Sequence, residues 1–270
     1  MSLSLGVIGF GAIGRSVCDA VRSGAAGDAT VAAILVRDAA KYRAAAPEFA
    51  GLLWDEPDGF FAQRMDLVVE SAGHEALRKY AVRSLSSGRD YLTVSVGALA
   101  DDAVLSAVVE AARSSGRRVV VPSGAIAGLD AIAAAAVGGL DEVSITSRKP
   151  PQAWKGTAAE KMVDLDSVVE PVCVYEGAAR DAAKLFPQNV NVQAALALAG
   201  IGMERTRSRV FADPTVQYNT HEIVARGSFG ELRVSVSNIP SESNPKTGRI
   251  TAMSVVKAIR NLTAPLVVGA

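Results

Sequence analysis

The chain has 270 residues, of which 49% are hydrophobic and 21% charged, a globular composition long enough for two domains. Its 28 basic and 28 acidic residues balance, so no net charge attracts nucleic acid or a membrane surface, and we expect neither as a partner. Cys18 and Cys173 are too few and too far apart for a disulfide framework or a zinc site, and we expect no metal. No apolar stretch could span a bilayer and no signal peptide opens the chain, which predicts a cytoplasmic protein.

A glycine-rich turn near the N-terminus lies between a predicted strand at residues 4–10 and a helical pattern at residues 15–21. Its spacing, GFGAIG, is G-x-G-x-x-G in the strand–turn–helix context that favours a dinucleotide. The first glycine permits the turn, the second lets a pyrophosphate approach the backbone, and the third lets the helix pack against the strand. We expect five residues of this turn to bind the cofactor: Gly9, Gly11, Ala12, Ile13 and Gly14.

A second buried-type strand, residues 30–36, ends at Arg37 and Asp38. In a dinucleotide-binding fold the residue after this strand meets the adenosine ribose. A carboxylate there accepts from the ribose hydroxyls, whereas an arginine accommodates a 2′-phosphate. Because Arg37 and Asp38 are adjacent, the sequence leaves NAD and NADP both open.

The N-terminal half continues as an alternation of strands and helices, which predicts a doubly wound parallel sheet with ligands at the carboxyl ends of its strands. The predicted strands are residues 66–70, 90–95 and 117–122, and the predicted helices are residues 75–85 and 101–114, the second capped by Asp101. Loops of small residues follow two of the strands. Within these loops we expect Ser71, Ala72 and Gly97 to lie beside the cofactor.

The pattern changes after about residue 123. A strand at residues 142–148 and helical runs at 178–185 and 190–199 precede strand-like runs at 205–211, 216–226 and 231–237. Consecutive strands joined by short turns predict a second, α+β domain with a mixed or antiparallel sheet. We therefore predict a dinucleotide-binding domain at 1–123 and a substrate and dimerisation domain at 124–245. The segment NPKT, residues 244–247, has a proline suited to a helix start, so a last helix at 246–263 is expected to pack back on the first domain.

Several polar segments of the C-terminal half are long and specific: FPQNVNV, NTHEI, RGSFGEL and NIPSESNPKT. A histidine within a strand, such as His221 in NTHEI, is more often structural than catalytic. Together with PSGAIAGLD and SRKPP, however, these segments resemble the L-aspartate dehydrogenase family, and the similarity runs from GFGAIG to the last helix. The resemblance implies NAD(P)-dependent oxidative deamination of L-aspartate to oxaloacetate and ammonia through iminosuccinate.

The same resemblance implies roles for particular residues. His221 would be catalytic, and imidazole suits a proton transfer near neutral pH. Ala125 and Asn191 would contact the cofactor. A dicarboxylate substrate also needs cations, for which Lys149 and Lys246 are preferred because they lie in the family-like segments, with Arg148 and Arg226 as further candidates. Asn189 completes the substrate-binding set, and we expect a homo-oligomer, with a dimer favoured.

Other readings of the sequence remain open. A homoserine dehydrogenase or a dihydrodipicolinate reductase would share the N-terminal half, although neither predicts NTHEI together with NPKT. A narrower variant of the same chemistry supplies iminoaspartate for NAD synthesis. A non-catalytic NAD(P) sensor belongs to a different class and would bind the cofactor without turnover.

Overall fold

The computed structural model describes residues 2–186, 191–241 and 244–269, with the backbone alone at 244–247. The chain divides into two compact units, Met1–Pro122 together with Ala252–Ala270, and Ser123–Thr251. Among the described residues, no helix is both long enough and apolar enough to cross a membrane.

The first unit is built on a six-stranded sheet in the order β3-β2-β1-β4-β5-β6, in which every neighbouring pair is parallel. Its strands are β1 (Leu3–Ile8), β2 (Ala29–Leu35), β3 (Leu53–Trp54), β4 (Leu67–Glu70), β5 (Asp90–Thr93) and β6 (Val119–Val120). Its helices are α1 (Ala12–Arg22), α2 (Ala39–Ala45), α3 (Pro57–Phe61), α4 (His74–Ser86) and α5 (Asp102–Ser115), with short 3₁₀ turns at Pro47–Leu52 and Val96–Ala100. The predicted doubly wound parallel sheet is confirmed, as is the cap of α5 by Asp101.

The strand order reverses direction between β1 and β4, the neighbours at the centre of the sheet. Ligands of this architecture bind at the carboxyl ends of the strands where the order reverses. The glycine-rich turn follows β1 there, and the Ser71 loop follows β4. Ser71 donates its backbone N–H to the Ile8 carbonyl at 2.9 Å, so the two loops are held side by side.

Each of the three glycines of the turn has a different structural role. Gly9 has a φ of +93°, a left-handed conformation that side chains disfavour. A Cβ at Gly14 would lie 2.0 Å from the Gly9 carbonyl oxygen, so only glycine lets α1 pack this closely on β1. A Cβ at Gly11 would meet nothing within 4 Å, which leaves open space beside the N-terminus of α1.

The second unit contains a mixed five-stranded sheet in the order β11-β10-β7-β9-β8, in which β7 and β9 are parallel and the other pairs antiparallel. Its strands are β7 (Leu140–Lys149), β8 (Val172–Ala178), β9 (Arg207–Ala212), β10 (Asn219–Gly227) and β11 (Gly230–Asn238). Its helices are α6 (Leu129–Gly138), α7 (Ala179–Leu185) and α8 (Asn191–Ala199), with 3₁₀ turns at Pro151–Trp154 and Ala158–Lys161. The predicted second domain type, α+β with a mixed sheet, is confirmed.

The chain ends with a small hairpin and a long helix. Strands β12 (Pro240–Ser241) and β13 (Asn244–Gly248) pair with each other, and α9 (Arg249–Thr263) follows directly. Val255 and Ile259 of α9 are fully buried and belong to the apolar core of the first unit. The amphipathic pattern of this last helix therefore serves the core around β1 and β2.

One predicted element differs from the structure, and one strand of the second sheet was not predicted. The segment Asn244–Gly248 is a strand and not the first turn of a helix, so the prediction made from Pro245 was wrong. Strand β13 belongs to a sheet of two strands and is therefore an edge strand, which tolerates a proline. Strand β8 was not predicted, because a bulge between Cys173 and Tyr175 breaks the two-residue alternation that marks a strand.

Substitution of Gly14 tests the close packing of α1 on β1. Gly14→Ala places a methyl group against the Gly9 carbonyl, and we expect the free energy of unfolding to fall by about 1–3 kcal/mol or more. Gly11→Ala is the matched control, since its methyl group enters open space and should leave stability within about 0.5 kcal/mol. Urea denaturation of both variants measures the difference, and equal losses would contradict the assigned contact.

Candidate active site

The neighbouring strands β7 and β10 present one shared face to the interior. They pair antiparallel, with His221 opposite Ser147 and Ile223 opposite Ile145. Along this face the apolar side chains form the core of the unit, with α6 and α8 packed on them: Val143, Ile145, Ile223 and Ala225. Towards the end of β7 the same face becomes polar, with Ser147, Lys149 and His221, all of them buried.

His221 is held by a chain of hydrogen bonds at this polar end. Its residue is only 4% exposed, and Nδ1 lies 2.8 Å from the Ser147 hydroxyl. Ser147 Oγ in turn accepts from Nε2 of Gln193 on α8 at 3.0 Å. Burial, and secondarily the positive charge of Lys149, lower the pKa of His221 from 6.5 to about 3, so the imidazole is neutral at neutral pH. A neutral ring with one nitrogen fixed is the arrangement that a proton acceptor requires.

Lys149 lies two residues after Ser147 on the same strand face. It is 4% exposed, and its Nζ lies 4.6 Å from the centre of the Trp154 ring, within the range of a cation–π interaction. After burial, its positive charge is the second cause of the lowered pKa of His221. His221 and Lys149, predicted separately from the sequence, thus lie on the same face of the paired strands β7 and β10.

The two arginine candidates lie on the opposite face of the sheet. Arg148 forms ion pairs with Asp213 at 3.1 Å and Glu222 at 3.3 Å. Arg226 forms ion pairs with Glu142 at 2.5 Å and Glu231 at 2.6 Å. Because successive side chains of a strand alternate between faces, neither arginine can share a site with His221.

Asn238, at the end of β11, ties the Ala125 loop to the strand of His221. Its buried amide donates to the Ala125 carbonyl at 3.0 Å and to the Asn219 carbonyl at 3.3 Å. Asn219 is two residues before His221. Asn238 was not predicted as a site residue, because the sequence at the end of β11 does not indicate which carbonyl groups its amide contacts.

Three further predicted site residues lie in the C-terminal half of the chain. Asn191 is the first residue of α8 and is partly buried. Asn189 lies outside the described residues, and the side chain of Lys246 is likewise outside them. The roles expected of Asn189 and Lys246 therefore stay predictions.

In the first unit, the N-terminus of α1 fits the pyrophosphate of a dinucleotide. The first residue outside the helix, Gly11, has no side chain to cap the first N–H groups, and the space at its Cβ position is open. Ala12, Ile13 and Gly14 form the first turn, where the helix dipole favours an anion. An uncapped helix start behind a sharp turn is what an NAD or NADP phosphate requires.

A buried carboxylate organises the loops beside this turn. Glu70, the last residue of β4, is 0% exposed and accepts from the backbone N–H groups of Ala72 at 2.7 Å and Gly73 at 2.9 Å. The hydroxyls of Thr93 at 2.5 Å and Ser95 at 3.0 Å also donate to it. Burial raises the pKa of Glu70, against these hydrogen bonds, which lower it. Glu70 was not predicted from the sequence, because its partners Thr93 and Ser95 lie at the end of the next strand and in the loop after it, more than 20 residues away.

The other predicted cofactor residues lie around the same edge of the sheet. Ser71 and Ala72 follow β4, and Gly97 is buried in the 3₁₀ turn after β5. Arg37 and Asp38 are exposed after β2, and Asp38 caps α2 by accepting from the Lys41 N–H at 3.0 Å. Across the part of the chain that the structure describes, no cluster of three acidic, histidine or cysteine side chains could hold a metal ion.

The lowered pKa of His221 predicts a pH dependence of stability. Between pH 6.5 and about 3 the unfolded chain binds a proton at this position that the folded chain does not, so the free energy of unfolding decreases as the pH falls. The slope due to this one group reaches at most about 1.4 kcal/mol per pH unit. We expect His221→Gln to gain stability relative to wild type as the pH falls through this window, measured by urea denaturation at successive pH values. A difference between the two proteins that stays constant with pH would contradict the buried, neutral imidazole.

The two halves of the chain match families of known proteins. Residues 130–262 match the family described as aspartate dehydrogenase, C-terminal, and residues 9–122 match the homoserine dehydrogenase NAD-binding domain. L-aspartate dehydrogenase of Ralstonia pickettii is 44% identical over 96% of this chain and 97% of its own length, and that of Methanocella arvoryzae 41% over 98% of each. The crystal structure of aspartate dehydrogenase from Thermotoga maritima has the same fold, with a TM-score of 0.79 at 24% identity over 99% of this chain and all of that one. The chain therefore belongs to the L-aspartate dehydrogenase family.

Proposed function

We propose that this protein is an NAD(P)-dependent L-aspartate dehydrogenase, which oxidises L-aspartate to iminosuccinate and releases oxaloacetate and ammonia. The observation that carries the proposal is the neutral imidazole of His221, held on a buried sheet face beside the cation of Lys149. An amino dicarboxylate needs both features, a proton acceptor for its nitrogen and a positive charge for a carboxylate.

His221 is the general base in this proposal. The amino group of bound aspartate must lose a proton before its Cα–H can leave as hydride, and a neutral imidazole accepts that proton at Nε2. When bound, the nicotinamide ring supplies the acceptor for the hydride. The pKa of about 3 describes the protein without substrate; the two negative charges of aspartate would offset Lys149 and raise the pKa towards its ordinary value. After hydride transfer the imidazolium passes its proton to solvent, and the neutral ring then accepts a proton from the water molecule that attacks the carbon of the imine.

Lys149 binds a substrate carboxylate. Its ammonium group lies against the Trp154 ring, and this contact restricts the long side chain. Burial strengthens the attraction between this ammonium group and a substrate carboxylate. Asn189 and Lys246 are proposed to complete the contacts to the substrate.

The cofactor lies, in this proposal, along the carboxyl edge of the parallel sheet. The glycine turn and the N-terminus of α1 bind the pyrophosphate, and Arg37 or Asp38 meets the adenosine ribose. Ser71, Ala72 and Gly97 lie along the nicotinamide half, and Ala125 and Asn191 are proposed as further cofactor contacts. Both NAD and NADP remain candidates, because an arginine and a carboxylate occupy adjacent positions.

The remaining expectations concern assembly and location. We propose a homodimer in the cytoplasm. The outward face of the mixed sheet does not provide an apolar dimer surface, because it carries ion pairs of Arg148, Arg209 and Arg226 with acidic neighbours. The exposed edge of β11 is the better candidate for contact with a second copy.

Removal of the imidazole tests the assignment of the base. We expect His221→Ala to reduce kcat for aspartate by roughly 100-fold or more, while the Kd for NAD(P)H changes only a few-fold. Absorbance of the reduced nicotinamide measures turnover in both directions, with aspartate and NAD(P), or with oxaloacetate, ammonium and NAD(P)H. Turnover close to wild type would remove His221 from the mechanism.

A panel of other amino acids, homoserine included, tests the identity of the substrate. Cofactor binding without turnover of any of these substrates would identify the protein as a sensor.

Substitution of Lys149 tests the carboxylate site. We expect Lys149→Met to raise the KM for aspartate by about ten-fold or more, because a charge-assisted hydrogen bond contributes about 1.5–3 kcal/mol. Arg226→Met is the matched control: it removes a cation from the neighbouring strand, on the opposite sheet face, and should leave the KM unchanged. An equal rise in both variants would show that long-range charge, and not contact with Lys149, determines the affinity.

A further inference from the structure

Gln193 is a polar side chain in an apolar place. It lies on α8 between Val192 and Ala194, is 0% exposed, and its helix packs on the interior face of the mixed sheet. Its amide nitrogen donates to Ser147 Oγ at 3.0 Å, whereas Oε1 has no hydrogen-bond partner among the described residues. A fully buried amide that uses only one of its two ends requires a reason.

The hydroxyl of Ser147 links this amide to His221 and has only one hydrogen to donate. If the hydrogen points to Nδ1 of His221, the neutral ring carries its own hydrogen on Nε2. If it points to an oxygen of residue 193, Oγ accepts from Nδ1–H, and Nε2 has a free lone pair. A rotation of the Gln193 amide by about 180° exchanges its nitrogen and oxygen at the position beside Oγ. The heavy atoms stay where they are, and the two hydrogen-bond patterns interchange.

We propose that Gln193 is a positioning residue that selects the tautomer of His221 through Ser147, and that the reaction uses the state in which the amide oxygen accepts from Ser147. The inference rests on the proposed function, because only a reaction that delivers a proton to Nε2 distinguishes the two tautomers. In the reactive state the proton from the substrate ammonium moves to Nε2, and the Nδ1 proton stays in its bond to Ser147. In this step no proton leaves the ring, and the dipoles of the hydroxyl and the amide stabilise the imidazolium.

An uncharged relay suits the surroundings of this histidine. Three elements bring four residues to it: Ser147 and Lys149 on β7, Val236 opposite it on β11, and Gln193 on α8. Among these described neighbours Lys149 supplies the charge that acts on the ring. A carboxylate in place of Gln193 would attract Lys149 and compete with the substrate for it. An amide orients the ring without adding a charge.

The tautomer is directly measurable, because the chain contains only two histidines, His74 and His221. In a His74→Asn background, nitrogen NMR of histidine-labelled protein reports a single imidazole. Gln193→Glu supplies an acceptor only, so Nδ1 should carry the hydrogen. Gln193→Met supplies neither donor nor acceptor, so Ser147 should donate to Nδ1 and leave the hydrogen on Nε2. The same protonated nitrogen in both variants would overturn the proposal, whether or not either variant is active.

Kinetics provide the second readout. We expect Gln193→Met to lose about ten-fold or more in kcat with the KM for aspartate within about three-fold, because ring position is kept and only the reactive tautomer is lost. Gln193→Glu should retain more turnover, with the acidic limb of its pH profile moved up by about one unit or more, because the carboxylate raises the pKa of His221. An unshifted limb together with an equal loss in both variants would indicate packing alone and would overturn the relay.

Two further variants isolate the hydroxyl. Ser147→Ala breaks the link, so exchanging residue 193 for Glu or Met in that background should no longer change the tautomer; a tautomer that still follows residue 193 would overturn the role of Ser147. Ser208→Ala is the matched control, a buried serine of β9 whose hydroxyl has no partner among the described residues, and it should change neither the tautomer nor kcat. Wild-type protein that does not oxidise aspartate would refute the proposed function and leave the NMR result valid. Active wild type with a tautomer independent of residue 193 would refute the relay alone.

Discussion

The hydrogen bond between Ser147 and His221 joins the architecture of the second unit to its chemistry. The two residues face each other across β7 and β10, so the bond exists only in one register of the strand pair. The same register buries Ile145 against Ile223 a short distance along. The apolar end of the face supplies the burial that stabilises the pair, and the polar end uses the resulting rigidity to hold an imidazole and an ammonium group in place.

The first unit shows the same division of labour at the edge of a parallel sheet. Apolar strands buried on both sides form the core, and the loops at their carboxyl ends contain the special residues. Glu70 connects two of these loops, because a carboxylate can accept several hydrogen bonds at once and a buried one must do so. The glycine turn depends on this support, since a Cβ at Gly9 would lie 2.9 Å from the Ala72 side chain.

Local features of the chain were predictable, and features created by long-range contacts were not. The glycine turn can be identified from the local order of strand, turn and helix, and the alternation of apolar and polar residues in β10 is visible in the sequence. Pro245 is ambiguous, because a proline suits both a helix start and an edge strand. Gln193 could not be identified from the sequence, since its role depends on a hydrogen bond to Ser147, which lies 46 positions earlier. Arg226 could have been excluded from the substrate site on the sequence alone. It lies five positions after His221, and an odd spacing within a strand places two side chains on opposite faces.

Because side chains alternate between the two faces of a strand, insertions and deletions within the strands are restricted. Insertion or deletion of a single residue within β10 would turn the imidazole to the outer surface and bring Glu222 inward, next to the core. Changes in length can therefore accumulate only in the connections, such as the turn between Gly227 and Gly230 that joins β10 to β11. Within β10 itself we therefore expect exchanges of one side chain for another to be tolerated better than a change in the number of residues.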